Sequence, residues 1–316
     1  MKIVVISAVL EQAHRDMILK AAGGEQVFFL TSERQMTPET ADAEVIYGHA
    51  RYTARTSKAL KWLCTPFAGV EPFLKPGSFA NEGCLLTNAA GAYGVSIAEH
   101  IIAVTLMMMR GLTVHYAAAL KGEWADRLPQ RSLKGCRITA LGTGDIGRTF
   151  ALRARAFEPA SLTGVSRTGR KDPAFDRVLP AEALDDVLPG TDLLVMSLPA
   201  TPATEGILSR ERISSLPEGA YVVNVGRGSA VDEDALADSL DAGHLSGAAL
   251  DVFRTEPLPP DSRLWRTKNM LITPHAAGNM TLKHTIDMNT AMFCEDLENY
   301  RAGRPLKHLV DRTLGY

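Results

Sequence analysis

The stretch "ALGTGDIGRTFALRARAF", residues 140–157, constrains the fold of this chain more than any other. Its glycines stand in a G-x-G-x-x-G pattern, directly after the apolar run "CRITAL" and at the start of a helical pattern. A strand, a tight glycine turn and a helix in this order can hold a dinucleotide, because the backbone approaches the pyrophosphate and the helix start offers free N–H groups. The alternative is a strand-to-helix turn with a purely structural role. The expected phosphate-binding residues are Gly142, Gly144, Asp145, Ile146 and Gly147.

Short apolar runs recur on both sides of this loop and are separated by helical patterns. They are rich in Val, Ile and Leu and lack polar alternation, which is typical of buried parallel strands. Because strand and helix patterns alternate, we predict an α/β fold with two doubly wound parallel-sheet domains, one of the Rossmann type and a smaller one of the flavodoxin-like type. The runs are "KIVVIS", "QVFFLT", "AEVIYG", "LKWLCT", "CLLTN", "CRITALG", "SLTGVS", "DLLVMSLP", "YVVNVG", "GAALDV" and "NMLITP".

Two helical stretches set the expected domain boundaries. Residues 95–124 predict two long helices joined near Gly111, which could bridge domains, pack against a second subunit or belong to an ordinary core. Residues 280–300 are again helical in pattern and could return to the first sheet. We therefore expect a discontinuous substrate-binding domain at 1–94 and 284–316, and a dinucleotide-binding domain at 95–283.

The composition argues against several classes of protein. A chain of 316 residues is long enough for two domains, and its net charge of -2 gives no basic excess for nucleic acid. The four cysteines are scattered, so we expect free thiols in a reducing compartment and no metal site. The most apolar run, "IIAVTLMMM", is about half the ~20 residues that a membrane span needs, and the N-terminus lacks a signal pattern. These features predict a cytoplasmic protein that does not bind membranes.

Three side chains follow the strands of the second predicted sheet. Arg227 comes after "YVVNV", Glu256 lies in the loop after "GAAL", and His275 comes after "NMLIT". In doubly wound sheets, ligands gather beyond the carboxyl ends of the strands. Taken singly, these residues could be a surface cation, a loop carboxylate and a core histidine. Their common placement beside a dinucleotide loop favours a shared site.

The chemistry of these three side chains is complementary. A histidine can carry a proton near neutral pH, and a carboxylate beside it favours the imidazolium form. A guanidinium can bind a substrate carboxylate in two places and polarise the adjacent carbonyl. A nicotinamide cofactor carries hydride, so the protein has to position a carbonyl and move one proton. The set predicts reduction of a 2-oxo acid and oxidation of a 2-hydroxy acid.

Several longer segments resemble the D-isomer-specific 2-hydroxyacid dehydrogenase family. They cover nearly all of the second predicted domain and the C-terminal tail, and "FAGVEPF" and "GVSIAEHIIAVTL" match less specifically. The resemblance implies two domains with the active site in the cleft between them, and usually a homodimer. The matching segments are "LGTGDIG", "LLVMSLPATPATEGIL", "LPEGAYVVNVGRGSAVDEDAL", "GAALDVFRTEPLP", "LWRTKNMLITPHAAG" and "YRAGRPLKHLVDRTLGY".

The resemblance also implies roles for individual residues. Arg227 would bind and polarise the substrate, His275 would be the general acid/base, and Glu256 would tune it. Backbone N–H groups of a loop in the first domain would bind the substrate carboxylate. The expected substrate contacts are Ala68, Gly69, Val70, Arg227 and His275. Side-chain selectivity could come from Tyr47, His49, Tyr52, Tyr93, Met280 or His284, each of which could equally be a packing residue.

The resemblance implies further contacts to the cofactor. Asp251 and the backbone near Val225 would face the nicotinamide carboxamide. Other expected contacts come from the loops after the neighbouring strands. They are Leu198, Pro199, Thr204, Gly226 and Gly278.

The segment "TGVSRTGRK", residues 163–171, indicates which dinucleotide is expected. Members of the family that prefer NAD commonly carry an acid after this strand, which would repel a 2′-phosphate. Here Ser166, Arg167 and Thr168 resemble the NADP-preferring glyoxylate and hydroxypyruvate reductases, since the guanidinium can pair with the phosphate and both hydroxyls can donate. We therefore expect NADP(H) to be preferred and NAD(H) to be possible. Alternatively, Arg167 only caps the adenine and both cofactors bind.

Two other functions remain open from the sequence. The chain could act on another anion, such as formate or phosphite, or belong to serine synthesis, although no extra C-terminal regulatory domain is evident. It could also be a dinucleotide-sensing module that recruits partners, as related transcriptional co-repressors do. The complete Arg-Glu-His set argues against pure sensing.

Overall fold

The computed structural model describes residues 1–315, which form two compact units. Unit 1 is Met1–Tyr93 together with Asn279–Tyr316, and unit 2 is Gly94–Gly278. The roles expected of the two predicted domains stay predictions. In chain order the helices and strands are β1 Lys2–Ile6, α1 Gln12–Ala22, β2 Gln26–Leu30, β3 Val45–Tyr47, α2 Arg51–Thr56, β4 Trp62–Cys64, β5 Leu85–Thr87, α3 Gly94–Met109, α4 Leu112–Leu120, β6 Arg137–Leu141, α5 Asp145–Ala154, β7 Ser161–Ser166, β8 Arg177–Pro180, α6 Leu184–Val187, β9 Leu193–Met196, α7 Arg210–Ser215, β10 Tyr221–Asn224, α8 Glu233–Asp241, β11 Gly247–Leu250, β12 Met270–Ile272 and α9 Lys283–Arg301.

Unit 1 contains a five-stranded parallel sheet in the order β2-β1-β3-β4-β5. This is the flavodoxin-like order. Its central strands are apolar on both faces, because helices cover both sides of a doubly wound sheet. Helix α9 packs against α1, and the segment after it forms an antiparallel bridge to β5 at Leu309. The C-terminal part of the chain therefore completes the first sheet.

Unit 2 contains a seven-stranded parallel sheet in the order β12-β11-β10-β9-β6-β7-β8. From β8 to β11 this is the Rossmann order, extended by β12. The order of the strands reverses between β6 and β9, and ligands bind beyond the carboxyl ends of strands at such a point. The prediction of an α/β fold with two parallel sheets, one Rossmann-type and one flavodoxin-like, is confirmed.

The strand β8 was not predicted from the sequence. It lies at the edge of its sheet, contains Arg177 and Pro180, and none of its residues is fully buried. An edge strand needs no apolar face on both sides and tolerates proline, so it lacks the continuous apolar signal of the other strands.

The predicted helices around Gly111 are α3 and α4, which meet at this residue in a left-handed backbone conformation with φ of 62°. Within residues 1–315, no single helix has the length and apolar character needed to cross a membrane. Only α3 and α4 taken together meet that test, and the pair is bent by 70°. Helix α3 packs against α5 and against β11 of the same unit.

Candidate active site

Two of the glycines in the loop after β6 are required by its geometry. Gly142 has φ of 106°, and a Cβ on Gly147 would lie 1.9 Å from the carbonyl oxygen of Gly142. A side chain at Gly147 would therefore force the helix away from the turn. By contrast, a Cβ on Gly144 would have no heavy atom within 4 Å. The open space at Gly144 is what a pyrophosphate needs in order to approach the backbone.

The start of α5 offers free backbone donors beside this space. Arg148 N donates to Gly144 O, so the N–H groups before Arg148 lie at the open end of the helix. The carboxylate of Asp145 packs closely against Gly94 at the start of α3, since a Cβ on Gly94 would lie 2.4 Å from Asp145 Oδ1, and burial raises the pKa of Asp145. The free N–H groups and the partial positive charge at the start of α5 favour an anion there.

Ser166, Arg167 and Thr168 lie next to the glycine loop. Strands β6 and β7 are paired in register from Arg137↔Ser161 to Leu141↔Val165, and Gly142 N donates to Val165 O at 2.9 Å. Ser166 ends β7, while the side chains of Arg167 and Thr168 are exposed. A ribose attached to phosphates at the glycine loop would therefore reach this group of residues. Whether they select a 2′-phosphate stays a prediction.

The loop after β9 is held by its own hydroxyl groups. Thr204 Oγ1 donates to Pro199 O at 2.7 Å and accepts from Thr201 N at 2.9 Å. Leu198 comes close to the next strand end, since a Cβ on Gly226 would lie 2.6 Å from both the nitrogen and the oxygen of Leu198. Glycine at 226 therefore lets the β9 and β10 loops touch.

The turn that carries Arg227 is fixed by a buried asparagine. Asn224 Oδ1 accepts from Gly226 N, and its Nδ2 donates to Arg227 O, both at 3.0 Å. Val225, between them, is buried. On the other side, a Cβ on Gly228 would lie 1.9 Å from the carbonyl carbon of Phe253, so this turn also packs directly against the loop after β11. Arg227 itself donates to Gly226 O at 2.8 Å.

Glu256 and His275 are in direct contact. His275 Nδ1 lies 2.7 Å from Glu256 Oε2, while Glu256 Oε1 accepts from Phe253 N at 2.9 Å. With Nδ1 bound to a carboxylate, the Nε2 atom is the one left for proton exchange. The side chain of His275 is 52% exposed, so a substrate can reach it. This is the base-and-orienter arrangement expected of a general acid/base; its chemical role stays a prediction.

The backbone of His275 is left-handed, with φ of 52°. For a residue other than glycine this conformation costs roughly 1–2 kcal/mol. Asp251 stabilises it: its carbonyl accepts from His275 N at 2.8 Å, and its carboxylate accepts from Ala276 N and Ala277 N at 2.8 and 3.1 Å. Asp251 is only 2% exposed. Its expected contact with a nicotinamide carboxamide stays a prediction, as does a role for Gly278, the last residue of unit 2.

The loop of Ala68, Gly69 and Val70 belongs to unit 1. Its carbonyl groups are held by the rest of the unit: Tyr93 donates to Pro66 O, Ala89 N donates to Phe67 O, and Asn88 Nδ2 donates to Ala68 O at 2.8 Å. Within unit 1 as described, the N–H groups of residues 68–70 have no acceptor. Successive free N–H groups are suited to an anion such as a carboxylate, and the expected contact with the substrate stays a prediction.

The six candidates for side-chain selectivity fall into different classes. Tyr47 is buried against Phe293 at 4.7 Å between ring centroids, and Tyr93 is buried with its hydroxyl donating to Pro66 O. Whether either residue contacts a substrate stays a prediction. His49 is exposed beside Phe67, and partial burial lowers the pKa of His49. Tyr52 and His284 are exposed and Met280 is half-buried, with no contact that indicates recognition.

Sequence reasoning missed three polar residues that shape these loops. They are Asn88, Asn224 and Thr273, each of which bonds the backbone or the carboxylate of a predicted site residue. The only signal was a polar side chain at the end of an apolar run, as in "CLLTN", "YVVNV" and "NMLIT".

Comparison with known proteins agrees with this geometry. Residues 102–277 match the D-isomer specific 2-hydroxyacid dehydrogenase, NAD binding domain. The chain is 33% identical to glyoxylate/hydroxypyruvate reductase A of Salmonella newport over 225 residues, which is 71% of this chain and 70% of that protein. It is 35% identical over 201 residues to a chloroplastic D-3-phosphoglycerate dehydrogenase of Arabidopsis thaliana, of which it spans only 32%.

Two solved structures match over the whole length. A D-isomer specific 2-hydroxyacid dehydrogenase from Xanthobacter autotrophicus Py2, in complex with NADPH and MES, is 28% identical with a TM-score of 0.82, covering 100% of this chain and 99% of that one. An NADPH-dependent glyoxylate/hydroxypyruvate reductase from Sinorhizobium meliloti, with NADP and sulfate, is 25% identical with a TM-score of 0.81 and the same coverage.

Two glycine substitutions test the dinucleotide loop. Gly144→Ala should leave the melting temperature unchanged, because its Cβ meets open space, yet raise the Kd for NADPH at least about tenfold by blocking the pyrophosphate. Gly147→Ala should lower both the melting temperature and the affinity, because its Cβ meets Gly142 O. Calorimetry and thermal unfolding measure both effects. Wild-type NADPH affinity in Gly144→Ala would contradict this assignment of the loop.

Proposed function

The chain belongs to the D-isomer specific 2-hydroxyacid dehydrogenase family, and from that membership we propose that it is an NADP(H)-preferring reductase of small 2-oxo acids, with glyoxylate and hydroxypyruvate as first candidates. It is an oxidoreductase that uses NAD(P) and acts on hydroxy or oxo acids. The observation that carries the proposal is the 2.7 Å contact between His275 and Glu256, at the same sheet edge as the open glycine loop and Arg227.

The residues at this edge fit a dinucleotide. The N–H groups at the start of α5 and the open space at Gly144 would hold the pyrophosphate, and the residues after β7 would hold the adenosine end. The loops after β9 and β10 would line the nicotinamide end. When bound, the nicotinamide supplies hydride to the 2-carbon of the substrate.

The chain's own residues move the proton and orient the substrate. Arg227 would bind the 2-oxo acid through its carboxylate and polarise the carbonyl. His275 Nε2 would donate a proton to the carbonyl oxygen in the reductive direction and accept it in the oxidative direction. Glu256 would accept the hydrogen bond from Nδ1 and so hold the ring with Nε2 available to the substrate. The free N–H groups of residues 68–70 would bind the substrate carboxylate.

NADP(H) is the proposed cofactor because no acid stands directly after β7. Ser166, Arg167 and Thr168 offer two hydroxyls and a guanidinium at the position expected for the ribose. A guanidinium pairs well with a phosphate, and this arrangement favours the 2′-phosphorylated form. The Xanthobacter and Sinorhizobium proteins, with NADPH and NADP in their structures, support this choice. NAD(H) remains a possible second cofactor.

We also propose a cytoplasmic homodimer. The described residues include four free cysteines and no disulfide, as expected for a reducing compartment. Helix α4 exposes several large apolar side chains, more than a solvated helix normally carries. They are Leu112, Val114, Tyr116 and Leu120, with exposures of 47%, 47%, 67% and 71%. A second copy of the chain would bury them.

Turnover by wild type and by His275→Ala tests the reaction. Wild type should oxidise NADPH with at least one member of a 2-oxo acid panel. His275→Ala should lose about 10²–10⁴-fold in kcat, since that is the usual contribution of a general acid. NADPH binding without turnover of any substrate would favour a dinucleotide sensor, and near-normal turnover in His275→Ala would refute its role.

Glu256→Gln is the matched variant for the same pair. It keeps a hydrogen-bond acceptor for His275 Nδ1 but replaces the charged acceptor by a neutral one. Hydrogen bonds to a charged group are roughly twice as strong as neutral ones, so kcat should fall about tenfold in steady-state measurements. An unchanged kcat would mean that a neutral acceptor holds the ring equally well.

Arg167→Ala tests the choice of cofactor. The Kd for NADPH should rise at least about tenfold, because a charge-assisted hydrogen bond to the phosphate is lost, while the Kd for NADH changes little. Arg210→Ala, which removes an exposed cation paired with Asp238 at 2.9 Å, is the control. Equal weakening of both cofactors would mean that Arg167 only stacks on the adenine.

Light scattering tests the homodimer. At micromolar concentration the wild type should have twice the mass of one chain, and Leu120→Glu should shift it toward the monomer because a charge would be buried in the interface. Leu152→Glu, on exposed α5 surface, should leave the dimer intact. A monomeric wild type would refute this part of the proposal.

A further inference from the structure

A hydrogen-bonded chain of side chains runs from α3 to the loop that carries His275. His100 Nε2, on α3, lies 3.3 Å from Thr273 Oγ1, and Thr273 Oγ1 donates to Asp251 Oδ1 at 2.6 Å. The same Oδ1 atom accepts from Ala276 N, the residue directly after His275. His100 and Thr273 are separated by 173 positions in the sequence and have no part in the reaction described above.

The direction of each hydrogen bond follows from the groups present. The hydroxyl proton of Thr273 is used on the carboxylate, so Thr273 Oγ1 has to accept the proton that His100 Nε2 carries. Burial lowers the pKa of His100, against the opposing effect of Asp251, and this lowering favours the neutral ring. With Thr273 Oγ1 as the acceptor, the ring proton is assigned to Nε2. Each member therefore fixes the orientation of the next.

The far end of this chain is the strained backbone of His275. Asp251 accepts from Thr273 Oγ1, Ala276 N and Ala277 N, and its carbonyl accepts from His275 N. A left-handed residue persists only where its surroundings determine it. The orientation of the Asp251 carboxylate decides whether both amides after His275 are held, and Thr273 adds a side-chain hydrogen bond to that carboxylate.

We propose that Thr273 and His100 are positioning residues for the reaction: through Asp251 they hold the loop of His275 in the conformation that places its ring against Glu256. This inference rests on the proposed function only where it concerns turnover. Neither residue touches the reacting atoms. Loss of the Thr273 hydroxyl removes one of the three hydrogen bonds to the Asp251 carboxylate and so weakens its hold on the left-handed loop.

The experiment compares variants of the full chain by steady-state kinetics and by hydrogen exchange of the peptide spanning residues 274–278. Thr273→Val removes the hydroxyl at constant shape and should lower kcat about tenfold, the worth of roughly one buried hydrogen bond. Amide exchange at Ala276 and Ala277 should become faster. Thr273→Ser restores the hydroxyl and should recover most of both losses.

Two further variants keep the test decisive. Thr139→Val, which removes a buried hydroxyl from the Thr139–Thr191 pair of the same unit, should lower the melting temperature without changing kcat. If Thr273→Val does not fold, His100→Phe serves instead, because it removes the hydrogen-bond donor to Thr273. This variant should show a smaller fall in kcat and a smaller increase in amide exchange.

The outcomes separate this inference from the proposed function. Wild-type kcat and exchange in Thr273→Val would overturn the inference, and so would a Thr273→Ser variant as impaired as Thr273→Val, because the hydroxyl would then not be the cause. If the wild type reduces no 2-oxo acid, the proposed function fails, while the exchange measurement still decides whether Thr273 holds the loop.

Discussion

Parallel pairing of all seven strands of unit 2 is the constraint on which the candidate site depends. Because the strands run the same way, the loops after β6, β7, β9, β10, β11 and β12 all emerge at one edge. Residues that are far apart in the sequence, such as Gly144 and His275, therefore share that edge without any long connection. The sheet therefore fixes where these loops lie, and the residues of the loops form the candidate site.

Close contact between neighbouring loops then depends on glycine. Gly226 and Gly228 let the turn of Arg227 pack against the backbone at Leu198 on one side and Phe253 on the other. Buried polar side chains, Asn224 and Asp251, complete the arrangement by bonding the backbone of these turns. In the proposed function, backbone groups of these loops would bind phosphates and carboxylates, and the exposed side chains would transfer the proton and polarise the carbonyl.

Local patterns predicted the fold and the main candidates, because each depends on nearby residues. Apolar runs predicted every strand except β8, whose edge position removes the apolar signal, and strand ends predicted Arg227, Glu256 and His275. The link from His100 to Thr273 could not be predicted, since it joins distant elements and depends on how α3 packs on the sheet. The left-handed backbone of His275 and the burial of Tyr47 likewise follow from tertiary packing and have no local signature.

The proposed site at the carboxyl edge of the unit 2 sheet would catalyse hydride transfer between a nicotinamide and the 2-carbon of an oxo acid. Isotope transfer tests it most directly: the protein is incubated with hydroxypyruvate, whose reduction product is chiral, and NADPH carrying deuterium at the transferable position of the nicotinamide ring. The account predicts a D-2-hydroxy acid with deuterium at its 2-carbon, detected by mass spectrometry and chiral chromatography. A product without deuterium, or of the L configuration, would contradict it.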